Sequence, residues 1–240
     1  MFVDLHAHTG GISTCCKVGA DKILETAKEY GFDGLAIANH YVRNYFTEET
    51  YDSWIEKYIA EWNLCMELGK EYGLRIFKAV EVTMEYDKRL HMLIYGADEA
   101  FLRNNPLLCD KSLAELYGIC KENGCALIQA HPFRSGATVQ DANFLDGIEI
   151  NCHPNYQISY ADRVMEIAQK KNLMVTVGCD YHADNYRPRG GMFLPEELKD
   201  GKDLVNYLLT AKEYHFQVHE PQDDRIYQAS FRRETQEILA

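Results

Sequence analysis

His6-x-His8 near the start of the chain and Asp180-x-His182 three-quarters of the way along it each set two metal-ligating side chains two residues apart. On a strand, residues i and i+2 project from one face, so each pair is a two-pronged grip on a cation. Between them come His40, Glu81, His91, His131 and His153. A lone histidine is more often a satisfied core or surface residue than a ligand. Nine such side chains in or beside short apolar runs favour an assembled site. Imidazole and carboxylate without organised thiolate suit zinc, manganese or iron better than copper(I) or an iron–sulfur cluster.

Such a site needs rigid elements to hold it. Apolar runs at 2–6, 34–38, 75–81, 91–95, 126–130, 147–151 and 174–179 read as strands, and amphipathic stretches at 20–30, 48–72, 112–123, 160–171 and 201–213 as helices. The second helix is marked by Tyr51, Trp54, Ile55, Tyr58, Ile59, Trp62, Cys65 and Met66, with Thr47 as its N-cap and Gly73 as its stop. Gly31, Gly124 and Asn172 each stand where a helix would end in a left-handed residue before a buried parallel strand. Strand–helix alternation without a linker argues for one parallel α/β domain over 1–240, its segment from about 214 packing on or extending from the rest. His8, His40, His131, His153 and His182 fall at or just past strand C-termini. Ligands from at least six segments fit a closed ring better than the single crevice of an open sheet.

Composition narrows the function. A formal net charge of −12 disfavours a nucleic-acid binder, although bound divalent cations would reverse the local field and admit an anionic substrate. No apolar run reaches the roughly 18 residues of a membrane span, and the N-terminus does not read as a signal peptide. The eight cysteines show no Cys-x-x-Cys pairing. The expectation is a cytoplasmic protein with reduced thiols.

Asp4-Leu5-His6-Ala7-His8-Thr9, Gly34-Leu35-Ala36-Ile37-Ala38-Asn39-His40, Val80-Glu81, His91, Ala130-His131-Pro132 and Cys179-Asp180-Tyr181-His182 occur in the order and approximate spacing of a known pattern. In these pieces the chain resembles the polymerase and histidinol phosphatase (PHP) family of metal-dependent phosphoesterases. The resemblance covers residues 2 to about 190 and implies a distorted seven-stranded, TIM-like (β/α) barrel holding two or three divalent transition-metal ions. It implies one metal on His6, His8, Glu81 and Asp180, a second on Glu81, His91 and His131, and a third on His40 and His182. The family often has an acidic ligand in the loop after the second His; here Ser13 or Cys15 would take that place. Asn39 also departs from the family's usual Asp.

By the same resemblance the substrate is a small phosphomonoester or a nucleotide-like phosphate, attacked by metal-activated water. Glu81, Asp180 and His153 are the catalytic candidates, with His153 a proton donor, a substrate contact or a structural residue. Absence of a Gly-x-Ser-x-Gly motif agrees with water as nucleophile. Arg134, Arg187 and Arg189 are candidates for holding the phosphate, which a planar guanidinium suits. Two alternatives stay open: a barrel amidohydrolase, in which a carboxylated Lys78 would bridge the metals, and a metal-binding regulatory module without turnover.

Overall fold

The computed structural model describes residues 1–155, 158–183 and 187–233. Seven strands follow the expected runs: β1 (Phe2–Ala7), β2 (Gly34–Tyr41), β3 (Arg75–Thr83), β4 (His91–Tyr95), β5 (Ala126–Gln129), β6 (Gly147–Asn151) and β7 (Met174–Gly178). The helices are α1 (Ala20–Glu29), α2 (Tyr51–Tyr72), α3 (Glu99–Asn104), α4 (Leu113–Glu122), α5 (Ala161–Lys171) and α6 (Gly201–Thr210). Short strands β8 (Gly191–Phe193), β9 (Glu213–Glu220) and β10 (Arg225–Arg232) complete a ten-stranded sheet in the order β10-β9-β8-β1-β2-β3-β4-β5-β6-β7. No helix among the described residues is long and apolar enough to cross a membrane.

The sheet curls until β7 meets β1. Just beyond β7, Tyr181 bridges Ala7 in parallel, with His8 N donating to Tyr181 O at 3.1 Å. Asp4 Oδ1 accepts from Cys179 N at 2.9 Å across the same seam. Gly178 makes the closure possible: a Cβ there would lie 2.4 Å from His6 Cβ and 2.8 Å from Glu149 Oε1. Ring closure by seven strands gives the TIM-like barrel, and β8 to β10 extend it from the outer edge of β1.

The barrel is not wholly parallel, which corrects the expectation from alternation. Strand β4 runs antiparallel to both β3 and β5. Only residues 84–90 separate Thr83 from His91, too few for a parallel crossover of roughly a dozen residues. The reversal has a consequence for chemistry. It puts the first residue of β4, His91, on the rim where the neighbouring strands end.

Helix α2 shows how the outer layer fixes the rim. Tyr51, Trp54, Tyr58 and Trp62 are buried along one side; Trp54 meets Tyr41 edge-on and stacks on Phe46, and Trp54, Tyr58 and Trp62 pack edge-on in turn. Their polar tips turn to β2: Trp62 Nε1 donates to Ile37 O at 3.2 Å, and Tyr58 Oη donates to Asn39 O. The carbonyls on either side of Ala38 are thus held by ring donors, and His40 follows directly. The helix starts at Tyr51 rather than at 48, because Thr47 and Thr50 bond each other in a turn that precedes it. Gly73 ends it with φ +66°, and Gly31, Gly124 and Asn172 are left-handed as expected.

Candidate metal centre

Strands β1, β2, β3, β5 and β7 end on one rim, β4 begins on it, and every expected ligand is there. Alternation along β1 turns Asp4, His6 and His8 to one side. Register pairs His40 with Glu81 across β2 and β3, and Thr83 with His91 across β3 and β4. His131 and Asp180 sit immediately past β5 and β7 in left-handed backbone, at φ +28° and +51°. A non-glycine residue there costs on the order of 1–3 kcal/mol, and such strain concentrates at functional sites.

Glu81 is the hub. It is fully buried, and its two oxygens face different imidazoles. Oε1 lies 2.9 Å from His91 Nδ1, 3.0 Å from His131 Nε2 and 3.4 Å from His6 Nε2. Oε2 lies 2.6 Å from His40 Nδ1 and 3.4 Å from His8 Nε2. Asp180 Oδ1 completes the cluster at 3.2 Å from both His8 Nε2 and His182 Nδ1, and 3.5 Å from His6 Nε2. Sets of ligand atoms within 4.8 Å of one another are His6, His8 and Glu81; His40, Glu81 and His91; His8, His40 and His182; and His153, Asp180 and His182.

Neighbouring groups fix which nitrogens face inward. His6 Nδ1 donates to Glu149 Oε1 at 2.8 Å, leaving the Nε2 lone pair for the cluster. Ser13 Oγ donates its one proton to Asn39 Oδ1 at 2.9 Å, so the 3.0 Å contact from His8 Nδ1 must be donated by the imidazole. The two Nε2 atoms then point at each other 3.0 Å apart among carboxylate oxygens. Either a proton or a cation must lie between them: His6 held protonated supplies the proton in the metal-free form, and a metal ion would replace it. His40 Nδ1 and Glu81 Oε2, buried and close, likewise lack a well-aligned hydrogen bond. Buried polar atoms without partners are rare and need an explanation. The donor set fits divalent transition-metal ions, which would take these lone pairs.

The electrostatics point the same way. Burial opposes ionisation of Glu81, but His40, His91 and His6 outweigh it and hold the carboxyl well below its usual range. Asp180 is likewise kept low against burial by His6 and His182. Burial disfavours a charged His6, yet Glu149, Asp180 and Glu81 raise it well above the ordinary value. His40, buried but facing Glu81 and Cys15, is raised to about 10. His8 is driven well down by burial and by His182 and His40. The cluster therefore stores protons that a cation would displace.

One residue of this arrangement, Glu149, was not singled out from the sequence, whereas Asn39 and His153 were. Glu149, in the middle of β6, holds His6 and accepts from His131 N at 2.9 Å and Asn151 Nδ2 at 3.0 Å. Asn39 ties the β1 loop to β2 through Thr9 N, Thr9 Oγ1 and Ser13 Oγ. His153, expected as a donor or contact, groups with Asp180 and His182 as a possible ligand; burial lowers it to about 4.

The arginines separate. Arg134 Nη1 lies 3.5 Å from His131 Nε2 and 3.7 Å from Asp180 Oδ2, over the centre. It lines a small cleft of about 30 Å³ with Phe133, Asn151, Ile158 and Tyr160. Arg189 instead donates to Asp224 on the β9–β10 turn at 2.9 Å. Arg187 is exposed; Asn185 and Tyr186 of its loop lie outside the described residues. Lys78 faces away from the barrel interior, bonded to Asn63 and Glu99 and set over Trp62, so it does not reach the position of a bridging lysine.

No protein-family model matches the chain, and no curated protein matches its sequence. Solved structures do. A protein from Bifidobacterium adolescentis, named as a candidate metal-dependent phosphoesterase, superposes with TM-score 0.56 at 20% identity, covering 86% of this chain and 95% of that one. A two-domain protein from Bacteroides vulgatus, described as containing a predicted PHP-like metal-dependent phosphoesterase, gives 0.57 at 15% identity over 97% of this chain and 65% of its own. The chain has the PHP-like fold. An amidohydrolase from Chromobacterium violaceum, solved with sulfate and no metal, gives 0.60 at 14% identity over 85% of this chain and 95% of that one. The PHP-like fold thus sits beside amidohydrolase barrels, and fold does not choose between their reactions.

Proposed function

We propose that the protein is a metal-dependent phosphoesterase that hydrolyses a small phosphomonoester or nucleotide-like phosphate. The observation that carries this is the Glu81 carboxylate, whose two oxygens serve two sets of imidazoles from opposite sides. That arrangement suits a carboxylate shared by neighbouring cations. When bound, divalent cations supply an acidified water and positive charge against phosphoryl oxygens. The chain's own residues do the rest. Glu149 and Ser13 orient His6 and His8 with their Nε2 atoms inward. Arg134 offers guanidinium donors to a phosphate at the rim, the charge-assisted contact that fixes such a group. The cleft beside it, lined by Phe133, Ile158 and Tyr160, adjoins that phosphate position. His153, held neutral near pH 7, can position the leaving oxygen or ligate with Asp180 and His182.

Likeness to the Chromobacterium violaceum amidohydrolase supports a second reading, hydrolysis of an amide or lactone on the same centre. One experiment separates the two. Purified protein is analysed for metal, then offered p-nitrophenyl phosphate, a panel of phosphate esters and a panel of amides and lactones, each with and without chelator. Chelator-sensitive phosphate release supports the proposal. Turnover confined to amides or lactones rejects it in favour of the second reading, and metal-loaded protein inert on every panel leaves a binding module.

A further inference from the structure

One wall of the Arg134 cleft is apolar and open to solvent. Ile158 is 41% exposed and Tyr160 39%, unusual values for large apolar side chains in this molecule. They flank Ser159, which is buried and locked in place. Glu220 accepts from its N at 3.0 Å and from its Oγ at 2.6 Å, and the same Oγ accepts from Ala161 N at 3.1 Å. Phe133, from the loop after β5, meets the Tyr160 ring at 5.3 Å between centroids, and the Arg163 guanidinium lies 3.9 Å from the centre of the Phe133 ring. Phe133, Ile158 and Tyr160 line the same cleft as Arg134.

Single exposed apolar residues are ordinary on a protein surface. Two observations set this group apart. Tyr160 is in left-handed backbone at φ +56°, a conformation that suits glycine and strains a residue with a side chain. The Ser159–Glu220 anchor and the start of α5 hold it there, yet its ring stays more than a third exposed. The polar side chains of the cleft, for their part, are already bonded within the fold. Asn151 Nδ2 donates to Glu149 Oε2 at 3.0 Å and Asn151 Oδ1 accepts from His153 N at 3.0 Å, while Ser159 serves Glu220. Among the described residues, the cleft therefore pairs a cation for a phosphate with apolar walls for whatever the phosphate is attached to.

We propose that Phe133, Ile158 and Tyr160 set the specificity, and that the leaving portion of the substrate is an apolar, ring-bearing alcohol in preference to a sugar or a nucleoside. This narrows the phosphoesterase reading and rests on it. The cleft is too small to enclose a ring, so the leaving portion lies along the wall beside the phosphate. A third ring against Phe133 and Tyr160 gains edge-to-face or offset contact, and its apolar surface leaves water together with theirs. A polyol against the same wall gives up hydrogen bonds to water and finds few to replace them.

The test uses the full metal-loaded chain and phosphates of primary alcohols, whose intrinsic reactivities are similar. Phosphate release from phenethyl phosphate should exceed that from ribose 5-phosphate and adenosine monophosphate by about tenfold or more in kcat/KM. Tyr160→Gly removes the ring and suits the backbone, so Tm should hold or rise while the phenethyl-to-ribose ratio falls about 3- to 10-fold. General damage would lower both rates and leave that ratio alone. Ile158→Ala should lower the ratio more modestly, and Tyr160→Phe should preserve it. A preference for the sugar or nucleoside ester, or a ratio untouched by both Tyr160→Gly and Ile158→Ala, overturns this inference and leaves the phosphoesterase reading standing. No phosphate release from any ester by metal-loaded protein overturns that reading and this inference with it.

Discussion

Two buried glutamates, Glu220 and Glu81, show what separates a functional acid from a structural one. On the β9–β10 side, Glu220 accepts from Ser159 N at 3.0 Å, Ser159 Oγ at 2.6 Å and Tyr227 Oη at 3.2 Å. Every contact is a true donor, and the acid stitches the loop before α5 to the hairpin. At the rim, Glu81 meets five imidazoles whose nitrogens cannot all donate to it, two of them committed elsewhere as donors. Neighbouring histidines differ too. His219 gives Nε2 to Asp224 at 2.8 Å, whereas His6 and His8 turn Nε2 towards each other. Protein groups satisfy one acid, and the other is arranged for a guest.

The largest effect should come from removing the charge at the hub. Glu81→Gln should strip metal and lower turnover by about 10³-fold or more, since a metal contributes several kcal/mol and each 1.36 kcal/mol is a decade. Elemental analysis of the purified variant, read beside its rate, is the check; normal metal with normal turnover would break the contrast drawn here. Glu149→Gln should act one step removed. It keeps an acceptor for His6 but withdraws charge behind the imidazole, so metal affinity should fall roughly 10- to 100-fold. Competition with a chromophoric chelator measures that, and an unchanged affinity would return Glu149 to a purely architectural role.

Much of this was legible in the sequence because the code is local. Alternation along β1 gives the His6-His8 grip, and apolar runs ending in His or Glu mark the rim; Asp180 and His182 meet although they lie past β7, where Asp180 is left-handed and the strand period no longer holds. Direction was harder. The brief link from Thr83 to His91 was the available signal that β4 reverses, and reversal is what turns a strand's first residue into a rim residue. Strand β8 is too short at three residues to show a period, and β10 is a largely exposed edge, but β9 was missed despite a clear signal: Tyr214, Phe216 and Val218 are buried in strict alternation with Glu213, His215 and Gln217. Glu149 and Asn39 act through contacts with residues far away in sequence, His6 and Ser13, which no local pattern encodes. Cys15 is the one cysteine whose thiol is lowered, to about 6: burial opposes this, and His182 and His40 overcome it. Cys16, two atoms of backbone away in the same loop, is pushed up to about 11 by burial.

Protons stored at the rim give a subtler handle. His40, raised to about 10 from an ordinary 6.5, stabilises the metal-free fold fully below pH 6.5, and that contribution is lost as pH climbs through 10. A ligated His40 must be neutral, so the metal-bound form loses nothing over the same range. Metal binding should release protons and tighten by about tenfold per pH unit for each proton displaced. The rise in Tm on adding zinc should therefore be larger at about pH 8.5 than at about pH 6. Thermal scans at both values test this, and a pH-independent increment would show that the imidazoles are already neutral without metal.

The smallest effect on the centre is expected from the other glutamate. Glu220→Gln can keep an oxygen on Ser159 N and turn its amide to the hydroxyls of Ser159 and Tyr227, which then accept but lose the acceptor for their own protons. One mispaired buried donor costs about 1–2 kcal/mol, which in a chain of this size lowers Tm by about 2–8 °C. The metal complement should match that of the wild type, because nothing in the Ser159–Glu220–Tyr227 network touches Glu81 or its imidazoles. Thermal unfolding and elemental analysis on one preparation give both numbers. Metal loss comparable to that of Glu81→Gln would mean that the two acids belong to one cooperative unit, and that satisfaction by protein donors does not divide structure from function in this fold.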